Sequence, residues 1–181
     1  SGGREHALAW MVAKSPLLTR LSVVGENPGF PPSAEAVGGD PVRYASEEGV
    51  DLVVVGPEAP LAEGISDRLR QKGVAVFGPS QQAAQLESSK AFAKAFMDRH
   101  DIPTAGWSVH TSESSALEAV TGPCVVKADG LAAGKGVLIA TNAEQGRDAV
   151  REVFSGRFGG AAAQVVIEEL EKRLDAAEER I

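Results

Sequence analysis

Three short β-branched runs, each closed by glycine, constrain the fold of this chain most. They are LSVVG (21–25), DLVVVG (51–56) and VAVFG (74–78). Each is apolar along its length rather than alternating, the pattern of strands covered on both faces. Around them, EHALAWMVAKS (5–15) and PLAEGISDRLRQKG (60–73) carry helical spacing, with Gly73 placed to end the second helix in a left-handed turn. Strands alternating with helices imply an α/β fold with a parallel sheet and helices on its faces.

The second half changes character. SQQAAQLESSKAFAKAFMDRH (80–100) reads as one long helix between Pro79 and Pro103. GWSVH reads as a strand, SESSALEAV as a helix with Ser112 as N-cap, and CVVKA and GVLIA as two strands around a glycine-rich loop. NAEQGRDAVREVF is then a helix and QVVIEE a strand. A domain boundary falls near Pro79, giving domains 1–79 and 80–181. At the start, SGGREHALAW is a glycine turn running into a helix, and such a turn normally hangs from a strand, so a first strand is expected and missing. From residue 171 the chain is polar and helix-forming, which reads as an exposed terminal helix.

Charge narrows the partners. A formal net charge of -7 disfavours nucleic acid, whose phosphate backbone attracts basic surfaces, but leaves room for a nucleotide held in a local positive pocket. The one cysteine, Cys124, sits in an apolar run and reads as a buried structural thiol. No apolar run approaches a membrane span and no signal-peptide pattern opens the chain, which makes the cytoplasm the expected location.

The stretch VVKADGLAAGKGV (125–137) carries the chemistry. A Walker A loop needs four residues between its glycines, then Lys and Ser or Thr, and opens a helix. Here three residues separate Gly130 from Gly134, Gly136 stands where the hydroxyl residue belongs, and a strand follows. A dinucleotide fingerprint fails for the same want of a helix. What remains is a loop between antiparallel strands that folds over a triphosphate, its glycines letting backbone N–H groups approach phosphate oxygens. Lys127 then lies beneath the nucleotide and Lys135 on the cover. A plain hairpin with two solvated lysines fits the spacing as well. Lys90 in ESSKAF, and Glu168 and Glu169 at the end of VVIEEL, extend the constellation: a strand end can recognise adenine, and a carboxylate there can bind ribose hydroxyls. Each of these, taken alone, also reads as an ordinary solvated charge.

Taken together these residues resemble the phosphoribosylamine–glycine ligase (glycinamide ribonucleotide synthetase) family of the ATP-grasp superfamily. SGGREHALAW, ENPG, DLVVVGPEAPLAEGI, VFGPSQQAAQLESSKAFAKAFMDRHDIPTAGW, VVKADGLAAGKGV and VVIEEL carry the resemblance, in family order. It implies a Rossmann-like substrate domain lacking its first strand, followed by a partial ATP-grasp domain. It implies a cytoplasmic purine-biosynthesis enzyme that phosphorylates the carboxylate of glycine with ATP and lets the amine of phosphoribosylamine displace the phosphate. By position, ATP falls to Lys90, Lys127, Gly130, Leu131, Ala132, Ala133, Gly134, Lys135, Gly136, Glu168, Glu169 and Leu170. Phosphoribosylamine falls to Gly2, Gly3, Arg4, Gly56, Pro57 and Glu58. His6 reads as a packing residue, and no catalytic residue is assigned.

The sequence also departs from the family. The segment between ENPG and DLVVVG is short, and the family's second ATP-grasp half, with its magnesium ligands, has no counterpart after VVIEEL. Glu171, Asp175, Glu178 and Glu179 lie at helical spacing and read as a solvated face, so magnesium or manganese is expected from the family while no ligand is assigned. Two functions follow: the ligase, incomplete in this chain, or a truncated adenine-nucleotide-binding module without turnover. Small molecules are the expected partners, with association through an unpaired sheet edge.

Overall fold

The computed structural model describes residues 2–131, 136–157 and 164–170. The polar stretch from 171, read as a terminal helix, and loop residues Ala132, Ala133, Gly134 and Lys135 lie outside the described residues. The chain divides into two compact units, Ser1–Ala84 and Gln85–Ile181.

The first unit holds helix α1 (Gly3–Val12), strands β1 (Leu21–Val24) and β2 (Ala34–Val37), helix α2 (Pro41–Glu47), strand β3 (Leu52–Val54), helices α3 (Glu58–Ala62) and α4 (Ile65–Gln71), and strand β4 (Ala75–Phe77). All three glycine-closed runs are strands. They pair in parallel as expected, in two separate two-stranded sheets: β1 with β2, Leu21 opposite Ala34, and β3 with β4, Leu52 opposite Ala75. Strand β2 was not legible, because AEAV is short and carries two exposed residues.

Residues 60–73, read as one helix, are two. Gly64 turns left-handed at φ 80° and starts α4, while the Gln81 amide donates to the Ala62 carbonyl at 3.1 Å across the break. Gly73, at φ 78°, follows the end of α4 as the sequence implies. Val42 and Ala45 of α2 pack with Ile65 and Leu69 of α4 and with Val74, which fixes both helices on the β3–β4 sheet.

Helix α5 (Gln81–Ser88) runs across the division, and α6 (Lys90–Arg99) follows after one extended residue. The long helix predicted over 80–100 is therefore broken at Ser89, at φ -135° and ψ 115°. The Ser89 hydroxyl accepts from the Phe92 N–H at 3.1 Å, capping a new helix start rather than continuing the old one.

The rest of the second unit is β5 (Trp107–His110), α7 (Glu113–Ala119), β6 (Cys124–Ala128), β7 (Val137–Ala140), α8 (Ala143–Phe154) and β8 (Val165–Glu169). The strands form one sheet in the order β5-β8-β6-β7, and every pair in it is antiparallel. Side chains alternate faces along a strand, so register decides who meets whom. Cys124, Val126 and Ala128 of β6, Val165 and Ile167 of β8 and Ala140 of β7 turn to α7 and α8 and form the core. Ser112 and Asn142 cap α7 and α8 by accepting from Ser115 N–H at 3.3 Å and Gln145 N–H at 2.9 Å.

Candidate functional site

The opposite face of this sheet carries the charged groups. Val125 of β6 stands opposite Glu168 of β8, and Lys127 opposite Val166, so Lys127 and Glu168 emerge on the same side. Lys127 Nζ donates to Glu168 Oε1. The other carboxylate oxygen, Oε2, lies 3.2 Å from Lys94 Nζ, which also donates to the Thr104 hydroxyl at 2.6 Å. The Lys94 and Glu168 side chains keep 10% and 11% of their exposure, and Lys127 keeps 25%. Two ammonium groups thus share one buried carboxylate, leaving an excess positive charge in a part-buried setting where it is poorly screened.

Immediately beyond β6, Asp129 ties the base of the glycine loop to the start of α6. Its carboxylate accepts from the backbone N–H groups of Lys90 and Ala91, from the Ser89 hydroxyl at 3.1 Å, and from the Gln164 amide. Burial alone would raise the Asp129 carboxyl, but the donors on Gln164, Ala91, Ser89 and Lys90 outweigh it and hold it below the usual aspartate range. Lys90 Nζ in turn donates to the Gly130 carbonyl at 3.0 Å. Gly130 sits at φ 102°, a left-handed conformation that sends the chain out of the strand into the loop. Gly136 returns it, its carbonyl accepting from Ala128 N–H at 2.8 Å.

The structure therefore brings Lys90, Lys127, Gly130 and Glu168 together in one unit. Leu131 is exposed beside them. Glu169 is exposed on the other side of its strand, its carboxylate folded over Gly106, while its N–H donates to the Gly106 carbonyl at 2.8 Å. Leu170 follows, partly exposed. On the Lys127 side, Val137 and Ile139 of the edge strand β7 are 44% and 69% exposed, an open apolar face next to the cations. A cavity of about 230 Å³ also opens by Glu168 and Glu169, but it is lined by Pro123 and Cys124 at the far end of β6 and not by Lys127.

Sequence reasoning missed Lys94 and Asp129. Lys94 lies four residues after Lys90, so the two share a helix face, and a second lysine on the face of a candidate ATP contact is the signal that was available. Asp129 stood in plain view between Ala128 and Gly130, where a carboxylate at a strand end faces whatever helix starts beside it. Cys124 is buried, and burial pushes its thiol up, as expected of a structural cysteine.

In the first unit the glycine segments also converge. Arg4 Nη2 donates to Glu58 Oε2 at 2.8 Å and Arg4 Nε to Glu5 Oε1 at 3.0 Å. A Cβ on Gly56 would lie 2.7 Å from the Glu5 carboxylate, so glycine lets that side chain pass close to the backbone after β3. Pro57 precedes Glu58 as the N-cap of α3. The Gly2 N–H donates to Glu5, its carbonyl accepts from the Asn27 amide at 3.1 Å, and Gly3 opens α1. The Gly2 amide and then Arg4 hold the Glu5 carboxyl low, and Arg4 does the same to Glu58. The His6 ring packs against Gly29, where an added Cβ would lie 2.8 Å from it.

Among the described residues no group of three or more His, Cys, Asp and Glu side chains could hold a metal ion. Glu168 is taken by two lysines, so the described carboxylates do not fit a magnesium site. No described helix is long and apolar enough to cross a membrane.

Residues 1–87 match the family described as phosphoribosylglycinamide synthetase, N domain, and residues 88–178 match its ATP-grasp (A) domain. A phosphoribosylamine–glycine ligase of Caulobacter vibrioides is 52% identical over 178 residues, and that of Mesorhizobium japonicum 49%; each alignment covers 93% of this chain. The chain spans 42% of the length of these curated relatives. The crystal structure of phosphoribosylamine–glycine ligase from Thermotoga maritima superposes with a TM-score of 0.75 at 31% identity, covering 94% of this chain and 42% of that one. The biotin carboxylase domain of a Hydrogenobacter thermophilus 2-oxoglutarate carboxylase, solved with MgADP, shares the fold at 20% identity, with a TM-score of 0.65 over 93% of this chain and 42% of that one.

Proposed function

The chain belongs to the phosphoribosylglycinamide synthetase (phosphoribosylamine–glycine ligase) family, and on that premise we propose that its second unit grips ATP for the ligation of glycine to phosphoribosylamine. In the proposed reaction a glycine carboxylate oxygen attacks the γ-phosphorus, and ADP leaves. The amine of phosphoribosylamine then attacks the resulting carbonyl: a C–N bond forms, the C–O bond to phosphate breaks, and the amine sheds a proton.

The residues of this chain supply binding. The observation that carries the proposal is the pair of ammonium groups on one buried carboxylate, Lys94 and Lys127 on Glu168, at the foot of a glycine hairpin. The surplus charge suits a polyphosphate, and the open apolar face of Val137 and Ile139 suits a planar base. Lys90 and Lys127 take phosphate oxygens, and the loop Gly130–Gly136 closes over them with Lys135. Glu168 and Leu170 edge the adenine and ribose, and Glu169, whose side chain folds over Gly106 on the other side of the strand, does so through its backbone. Closure excludes water from a glycyl phosphate that would otherwise hydrolyse. In the first unit, Gly2, Gly3, Arg4, Gly56, Pro57 and Glu58 hold phosphoribosylamine, with Arg4 exchanging Glu58 for the substrate phosphate. Magnesium would neutralise the triphosphate, and no step here is assigned to it because the described carboxylates do not fit it. The cytoplasm, where purine precursors are made, is the proposed location.

Calorimetric titration of the chain with ATP tests the binding half of this proposal. A saturable signal is expected, weakened at least about tenfold by Lys127→Ala, which corresponds to about 1.4 kcal/mol. Equal affinity in the variant would contradict it.

A further inference from the structure

Glu168 has two cationic partners that are not equivalent. Lys94 comes from α6, is buried, and is fixed a second time by the Thr104 hydroxyl at 2.6 Å. Lys127 comes from β6, is more than twice as exposed, and makes no second hydrogen bond among the described residues. One partner is held twice and buried; the other is held once and more exposed. Other neighbours do not alter this balance. From β5, Trp107 stands opposite Glu168 and is uncharged, its indole donating to Asp98 at 3.0 Å. On β8 itself Glu169 faces away, over Gly106. From the loop side, Lys90 is committed to the Gly130 carbonyl and Asp129 to its own donors.

We infer that Lys94 is a positioning residue: the permanent counter-ion of Glu168, which lets Lys127 leave that carboxylate for the phosphates of a nucleotide. The exchange rests on the nucleotide proposal above; the counter-ion role does not. Removing Lys127 from a buried carboxylate that had no other partner would leave a bare charge in a poorly solvated place, and the carboxylate would have to take up a proton. With Lys94 in place it need not, so nucleotide binding proceeds without proton uptake by Glu168. Lys94 itself is too buried and too firmly held to be the mobile partner.

The first test needs no ligand. The carboxyl carbon of Glu168, followed by NMR with labelled glutamate in the full chain at pH 7, reports its charge directly. In Lys127→Met it stays at the ionised position. In Lys94→Met/Lys127→Met it moves to the protonated position, and in Lys94→Arg/Lys127→Met it returns. Protonation in Lys127→Met alone would overturn the inference, and this single variant at a part-exposed position decides the matter even where the double variant fails to fold. The second test uses ATP. With the titration of the ATP phosphate common to both proteins, the ratio of the natural chain's affinity to that of Lys94→Met rises up to tenfold per unit increase in pH between pH 6 and 8, and Lys94→Met takes up one more proton per ATP than the natural chain. Uniform weakening at every pH would mark a merely structural lysine and overturn the exchange. If Glu168 behaves as stated while ATP binds neither protein, the nucleotide proposal fails and the counter-ion role stands.

Discussion

Asp129 shows how a single side chain sets the geometry of this site. Its carboxylate joins the end of β6, the start of α6 and Gln164. Its folded pKa lies below the unfolded value of about 4. The stabilisation is therefore complete above pH of about 4 and is lost as pH falls through the folded value. Asp129→Asn is expected to cost about 2 kcal/mol in urea unfolding at pH 7, the scale of charge-assisted hydrogen bonds replaced by neutral ones. It also flattens the acid limb of the stability curve below pH of about 4. An acid limb identical to that of the natural chain would assign the loss to other carboxylates. At this scale the sequence was readable where spacing marked a residue: Lys127, Gly130 and Glu168 all come to one place. Lys94 was hidden because a lysine in a helix is ordinarily solvated, and only its burial and its ion pair with Glu168 of β8 reveal that this one is not.

At the scale of elements, the second unit depends on how closely α8 approaches the sheet. Gly146 permits that approach: a Cβ added there would lie 2.6 Å from Val120 and 2.9 Å from Cys124, both buried. Val120 is β-branched and has little rotamer freedom to yield. Gly146→Ala gains up to about 1 kcal/mol of helix propensity but incurs about 1–3 kcal/mol of overpacking. Thermal or urea unfolding is expected to show a net loss of about 1 kcal/mol, and a stabilised variant would contradict the packing described. Elements were also where sequence reading failed most plainly. Periodicity continues straight through 60–73 and 80–100, yet Gly64 and Ser89 break both helices. Each break is made by tertiary partners, Gln81 reaching Ala62 and Asp129 capturing the amides of Lys90 and Ala91, and period counting within a segment cannot see them.

At the scale of the whole molecule, the ligase reading bears on what these residues do by themselves. The chain spans 42% of the length of the curated relatives it matches, and its described carboxylates do not fit a metal. Tested alone, it is expected to form no glycine-dependent ADP in a coupled assay; clear turnover would show that these residues suffice. The fold class and the antiparallel hairpin were legible because they rest on local pattern. The meeting of two lysines on one carboxylate was not, since it brings together a helix and two strands distant in sequence.

In the proposed complex ATP lies on the Lys127 side of the β5-β8-β6-β7 sheet. Backbone amide NMR during ATP titration tests it most directly. The largest shifts are expected at Val125, Lys127, Val137, Ile139 and Glu168, with α7 and α8 little changed. Shifts centred instead on Pro123, Cys124 and Gly106, or no shifts at millimolar ATP, would contradict it.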